Sequence, residues 1–254
     1  MDISQANIAN LSSLWARYGA TSIGADKVLT QNLGWPHRCW HENPSLLEDI
    51  SPLAVAGEDA LFPLWPDFSN QSSTSSAHLR AQLEMHNWVC ALTQTAMYLP
   101  LNANDFANQG QGAPSTSSFS VRKISMIDDI SPWCEVVSDA FGYEVDAKVI
   151  APLLAMSDVA LYVGEFKGEV VASALLYQTD EVIGLHQVGL KQAYQGQGLA
   201  KAMMNTLLAI ASATSAKYMV LQASAAGRPL YEKLGFIKQF EIQSFRKQSE
   251  KKAS

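Results

Sequence analysis

The chain has 254 residues, of which 48% are hydrophobic and 17% charged, and a formal net charge of −6. That length supports one large domain or two ordinary ones with ample core, in a composition usual for globular proteins. The acidic balance points away from nucleic acid and anionic membranes as partners, and no apolar run approaches the ~20 residues of a membrane span. Residues 1–5 lack the basic and apolar regions of a signal peptide. Cys39, Cys90 and Cys134 are isolated and the five histidines are scattered. Neither a disulfide framework nor a metal site is expected, and the expected compartment is a reducing cytoplasm.

In chain order, Ile3, Ile8, Leu11, Leu14 and Trp15 fall at helical spacing and predict an amphipathic helix over 3–18. A short strand is predicted after Pro36, ending at Trp40. His37, Arg38 and His41 stand beside two tryptophans, but no catalytic spacing accompanies them, and they read as partly buried strand residues. Residues 43–76 are rich in Pro, Ser, Asp and Gly and read mostly as loop, with Leu61-Phe62-Pro63-Leu64-Trp65-Pro66 embedded in it. Residues 88–92 and 95–101 read as paired strands. Residues 108–118 are small, polar and uncharged, which suits a linker. The predicted organisation is an N-terminal α/β domain at 1–107, a linker at 108–118, a second domain at 119–247 and a tail at 248–254.

The second half has a steadier rhythm. A strand over 119–124 precedes a helix started by Ser131-Pro132, with Trp133, Val136, Val137 and Ala140 as its stripe. A short helix follows near Asp146. Strands over 159–166 and 170–177 meet at Lys167-Gly168, a hairpin signal. A strand over 182–190 leads to a helix whose Leu199, Ala202, Met203, Leu207 and Ile210 form one apolar stripe. A strand over 218–223, a helix over 229–234 and a strand pair over 236–245 complete the order β-α-α-β-β-β-α-β-α-β, with a crossover through the helix that begins at Leu199.

Residues 185–201 carry the strongest chemical signal. An apolar strand breaks into a loop with Gly196 and Gly198 and continues as a helix. Glycines let amides approach a ligand, and a helix start offers unpaired N–H groups with a partial positive charge, so the arrangement suits phosphate. The Walker pattern would need Gly-Lys-Ser/Thr where Gly198-Leu199-Ala200 stands. The dinucleotide fingerprint would need a third glycine and a later acidic residue. Both are excluded. Gln109-Gly110-Gln111-Gly112 repeats the letters, but Pro114 and a Ser/Thr run follow instead of a helix, so it reads as linker.

Gln195-x-x-Gly198-x-Ala200 resembles the Gln/Arg-x-x-Gly-x-Gly/Ala pyrophosphate loop of the Gcn5-related N-acetyltransferases (GNAT). Leu230-Tyr231-Glu232-Lys233-Leu234-Gly235-Phe236 resembles the Leu-Tyr-x-Lys-x-Gly-Phe segment near the end of those domains, and the element order is theirs too. The resemblance covers residues 119–245. It implies an α/β (α+β) fold with a mixed, mostly antiparallel sheet flanked by helices, here joined to a smaller α/β N-terminal domain. It also implies an enzyme that moves an acetyl group from acetyl-CoA to a primary amine of a small molecule or protein.

On that resemblance the pantetheine arm would pair with Val188, Gly189 and Leu190. The pyrophosphate would sit on the amides of Gln195, Gly196, Gln197, Gly198, Leu199, Ala200 and Lys201. Tyr231 matches the tyrosine that protonates the leaving thiolate, and a phenol of pKa ~10 suits that task. The glutamate that often serves as base falls on Gly184. His186, two residues on and on the same strand face, is the candidate base, since an imidazole of pKa ~6.5 suits it. Glu181 is a second candidate, and a water chain is the alternative. Ser224 stands where a frequent cofactor-side asparagine would be.

No metal is implied, and a homodimer is left open. The competing reading is a non-catalytic acyl-CoA-binding or interaction protein that keeps the fold. Acceptor choice would belong to loops around 141–146 and 241–244. The first half has two readings, a degenerate copy of the same fold or an α/β domain whose matching apolar positions are chance. Trp88, Leu92 and Met97 keep the spacing of Phe236, Phe240 and Phe245, and Leu83 takes the place of Tyr231.

Overall fold

The computed structural model describes residues 1–24, 27–68, 74–102 and 118–248. Packing divides the chain into two compact units, Met1–Met97 with Gln222–Ser254, and Tyr98–Leu221. Residues 108–117 of the expected linker, the glycine repeat at 109–112 and most of the tail lie outside the described residues.

The first unit opens with α1 (Ile3–Arg17), capped by Asp2, whose Oδ1 accepts the N–H groups of Ser4 at 2.8 Å and Gln5 at 3.3 Å. Its apolar stripe buries Ile8, Leu11, Leu14 and Trp15. Three short strands, β1 (Ala20–Ile23), β2 (Leu29–Asn32) and β3 (Cys39–Trp40), form a small antiparallel sheet. The sequence predicts only the last of them, because β2 is polar. Its Gln31 and Asn32 are nevertheless buried, since Gln31 Oε1 accepts the Gly57 N–H and Asn32 Nδ2 donates to the Trp15 carbonyl.

After two 3-10 turns come β4 (Leu61–Leu64), α2 (Thr74–Met85) and β5 (Trp88–Pro100). The end of the chain returns to this unit as α6 (Arg228–Lys233) and β11 (Ile237–Lys247). β11 lies between β4 and β5, antiparallel to β4 with Phe245 opposite Phe62. Leu29, Phe62, Leu79, Leu83, Trp88 and Phe245 share one core.

Three sequence expectations are corrected here. Residues 61–64 are a strand and not loop, residues 88–101 contain one long strand and not two, and the last strand pair is the single β11. Asn7, fully buried on α1, ties the two long strands together. It donates to the Met97 carbonyl at 3.1 Å and to Gln239 Oε1 at 2.6 Å, and accepts from Gln222 Nε2 at 2.6 Å. Both donors and the acceptor oxygen of its side chain have internal partners, which makes it a strong constraint.

The second unit follows the predicted order. It contains β6 (Phe119–Lys123), α3 (Ile130–Phe141), α4 (Ala147–Ile150), β7 (Val159–Phe166), β8 (Glu169–Thr179), β9 (Val182–Leu190), α5 (Leu199–Ser212) and the start of β10 (Tyr218–Ala223). The sheet runs β10-β9-β8-β7-β6, antiparallel except for the parallel pairing of β9 with β10 across α5. The mixed, mostly antiparallel sheet flanked by helices is the expected one. Trp133, Val136 and Val137 of α3 and Met203, Met204, Leu207 and Leu208 of α5 are buried, and both helices pack on β8 and β9. Among the described residues no helix is long and apolar enough to cross a membrane, and no His/Cys/Asp/Glu group could hold a metal.

Candidate functional site

β9 is irregular where the sequence places its chemistry. Leu175 of β8 pairs with His186, but Ser173 pairs with Gly189, so Gln187 and Val188 oppose the single residue Ala174. This is a β-bulge, and Gln187 adopts φ 51° within it. Ser173, fully buried, holds it by donating from Oγ to the Gln187 carbonyl at 3.0 Å. Beneath it the packing is tight. A Cβ on Gly189 would come within 2.9 Å of Ser173 Oγ and 3.0 Å of Ala140 Cβ. On its other side β9 is joined to β10 through Val182, Ile183 and Gly184 only, and the parallel register ends at Val220. From Leu185 onward that edge of β9 is left open by the ladder.

The open edge leads into the glycine loop. A 3-10 turn over Gln192–Tyr194 is pinned from two sides. Gln192 donates its N–H to Asp139 Oδ2 at 2.7 Å, while Tyr194 OH donates to Glu169 Oε2 at 2.6 Å and Lys191 Nζ pairs with Glu169 Oε1 at 2.9 Å. These bonds, Tyr194 first, hold the Glu169 carboxyl below the usual carboxylate range. Gln195 spends its N–H on the Gln192 carbonyl at 3.2 Å and reaches back with Nε2 to the Leu190 carbonyl at 3.4 Å.

Gly196 (φ 77°) and Gly198 (φ 81°) then turn the backbone through the left-handed region, where a side chain would strain it. Gly198 is the N-cap of α5 and offers no side-chain cap. Among the described residues, no backbone acceptor outside the regular elements serves the amides of Gly196, Gln197, Gly198, Leu199, Ala200 or Lys201. A run of donors at the start of a 14-residue helix is an anion cradle. Asp139, Glu169, Tyr194 and Ser173 escape a sequence reading because their roles come from distant partners. Gln187, a polar residue inside an apolar strand, is the one local sign of the bulge.

His186 is 7% exposed, and burial pushes its imidazole down to about 3. It is therefore neutral at any ordinary pH and a weak proton acceptor. Glu181 precedes β9 at the end opposite the glycine loop and is ion-paired with Lys217.

Ser224 and Tyr231 belong to the first unit. Ser224 Oγ accepts the Gly227 N–H at 3.1 Å and its carbonyl accepts the Arg228 N–H at 2.9 Å, shaping the entry to α6. Tyr231 stands edge-on to Phe236 at 5.6 Å, and a Cβ on Gly227 would come within 3.4 Å of its ring. Burial raises the Tyr231 phenol well above the ordinary tyrosine value, so it holds its proton throughout the working range. Cys39 and Cys134 are buried thiols, pushed up to about 12 and about 11, and are unsuited to nucleophilic work.

Residues 126–236 match the family model described as "Acetyltransferase (GNAT) family", and both sequence signatures lie inside that span. Across it, the chain carries a GNAT domain. Among solved structures, a GCN5-related N-acetyltransferase from Kribbella flavida superposes with a TM-score of 0.65 at 16% identity, covering 98% of this chain and 97% of that one. A functionally unknown conserved protein from Staphylococcus epidermidis gives 0.59 at 11% identity, covering 91% and 96%. A GCN5-related N-acetyltransferase from Sphaerobacter thermophilus gives 0.53 at 17%, covering 74% and 59%. At such identities the likeness is one of fold. No curated protein matches the chain.

Proposed function

We propose that this GNAT domain is an N-acetyltransferase that moves the acetyl group of acetyl-CoA to a primary amine of a small molecule or protein. The supporting observation is one continuous feature of the second unit. The edge of β9 that the ladder leaves open beyond Gly184 runs directly into the amides of Gly196 to Lys201, which among the described residues have no backbone acceptor outside the regular elements. A pantetheine arm carries amides and adds to such an edge along Val188, Gly189 and Leu190 as a strand would. The pyrophosphate takes the loop amides and the positive end of α5, where side-chain identity matters little, so Ala200 serves as well as glycine. Gln195 contributes through its side chain, which holds the strand end to the loop, and Ser224 by shaping the turn before Tyr231.

In the transfer step the amine, having lost its ammonium proton to water, attacks the thioester carbonyl carbon. A C–N bond forms, the C–S bond breaks, and the second amine proton leaves to water. Tyr231 donates the phenolic proton to the departing sulfur and is reprotonated from solvent. His186 is too weak a base to take the ammonium proton and instead positions the strand, which leaves the base work to water.

A second reading, an acyl-CoA-binding protein without turnover, is favoured by the same base position. Gly184 stands where a glutamate is frequent, and the nearest imidazole is held at about 3. The two readings separate in one assay, release of free CoA thiol from acetyl-CoA in the presence of a panel of primary amines. Acetyl transfer gives amine-dependent thiol release that Tyr231→Phe lowers. Binding of acetyl-CoA without release by any amine supports the second reading, and failure to bind contradicts both.

A further inference from the structure

Two large aromatic residues, Phe141 and Tyr143, stand beside the β9 bulge at 42% and 43% exposure, and the acyl-transfer reading gives them no task. Their rings are stacked, with centroids 5.8 Å apart and planes 20° from parallel. A Cβ on Gly189 would lie 3.6 Å from Phe141 Cε2, and Tyr143 OH donates to Gln187 Oε1 at 3.4 Å. The pair is therefore continuous with the bulged segment from Gln187 to Gly189.

The loop that carries the pair is closed by other groups. Gly142 (φ 72°) ends α3 and donates its N–H to the Ser138 carbonyl at 2.9 Å. Val145 donates its N–H to Ser138 Oγ at 3.1 Å and buries its side chain. Asp146 caps α4 by accepting the Lys148 N–H at 2.9 Å. These bonds hold the backbone around the pair, so the rings are presented from a fixed base. Apolar surface left in water costs free energy, and a flat ring laid against two stacked rings removes more of it than a slim aliphatic chain does.

We infer that Phe141 and Tyr143 form an acceptor subsite, and that the acceptor is a primary amine with an aromatic ring a short chain away from its nitrogen. This rests on the acetyl-transfer reading, in which the pantetheine arm lies along Val188, Gly189 and Leu190 and ends toward Gln187, beside the pair. The acceptor's ring stacks on the pair and its nitrogen is directed to the bulge. A free arylalkylamine offers this chemistry, and so does the N-terminus of a peptide that begins with phenylalanine.

Two matched pairs of amines separate these sources, 2-phenylethylamine against ethylamine and the peptide Phe-Gly-Gly against Gly-Gly-Gly. Binding to the full chain is read by calorimetry with CoA in place of acetyl-CoA, so that no transfer occurs. Turnover is read separately, by release of thiol from acetyl-CoA. The expected result is that the ring tightens binding and raises kcat/KM by at least about fivefold in at least one pair, and the pair that responds names the source. Phe141→Ala/Tyr143→Ala should bring that ratio below about twofold, whereas Tyr143→Phe keeps the ring and the preference. A ratio of two amines on one protein cancels any general loss of activity. Transfer without ring preference, a preference that survives the double variant, or no saturable binding of either ring-bearing amine overturns the inference and leaves the acyl-transfer reading intact. Ring-selective binding with no thiol release from any amine upholds the aromatic subsite and contradicts the transfer reading instead.

Discussion

In α2–β5 and again in α6–β11, a helix ends at a residue in the left-handed region, Asn87 (φ 62°) or Gly235 (φ 92°). A buried aromatic follows, Trp88 or Phe236, each 5% exposed, and then a long strand. Further along, Leu92 and Phe240 are both half-buried, and Met97 and Phe245 are both buried. The two segments lie side by side in one sheet, bound to α1 by the same asparagine. They part at one position. Leu83 is fully buried in the shared core, whereas Tyr231 is 9% exposed and packs edge-on to Phe236. On the proposed function, the same helix–turn–strand frame serves packing alone in one segment and presents an acid in the other, and a single side chain decides which.

The sharpest test of that contrast exchanges function for stability. Tyr231→Phe is expected to lower kcat by about 100-fold while changing acetyl-CoA affinity less than about twofold. Leu83→Ala should do the reverse, costing about 2–5 kcal/mol of stability while the turnover of folded protein stays near wild type. Equal losses of kcat in the two variants would erase the distinction.

Burial acts on two groups in opposite directions, raising Tyr231 and lowering His186. For His186 the folded value, about 3, lies below the unfolded value of ~6.5, so the unfolded chain binds the extra proton between them. Its contribution to stability is present above pH ~6.5 and is lost as pH falls toward about 3. Chemical denaturation from pH 7 to 4 should show His186→Asn losing less stability than wild type, by up to ~1.4 kcal/mol per pH unit. A steeper loss in the variant would contradict the burial.

The smallest expected effect lies at the two turns. Gly235→Ala forces a Cβ into the left-handed region and should cost about 1–2 kcal/mol, whereas Asn87→Gly should change stability by only about half that or less. Thermal melts of the two variants check this ordering.

Much of the second unit was legible because its signals are local. Alternating apolar strands, the Lys167-Gly168 turn and the stripe of α5 each read correctly from a few adjacent residues. β4 was hidden because Pro63 and Pro66 suggest loop. An edge strand has no partner for one row of N–H groups, and Pro63, opposite Ser244 at that edge, loses nothing there. β5 looked like two strands because its middle, around Ala91 and Thr93, is exposed and breaks the apolar pattern. Among its described residues α2 fully buries only Leu79 and Leu83, too sparse a stripe to read. At the candidate site the glycine loop was readable by letter and context. The bulge at Gln187 and the anchors Asp139 and Glu169 were not, since each depends on a partner far along the chain.

The central claim is that acetyl-CoA lies along β9 and on the loop amides. Amide chemical-shift mapping of nitrogen-labelled protein during acetyl-CoA titration tests this most directly. The largest shifts are expected at Val188, Gly189 and Leu190 and at Gly196, Gln197, Gly198, Leu199, Ala200 and Lys201. Shifts centred elsewhere, or none at millimolar acetyl-CoA, would contradict it.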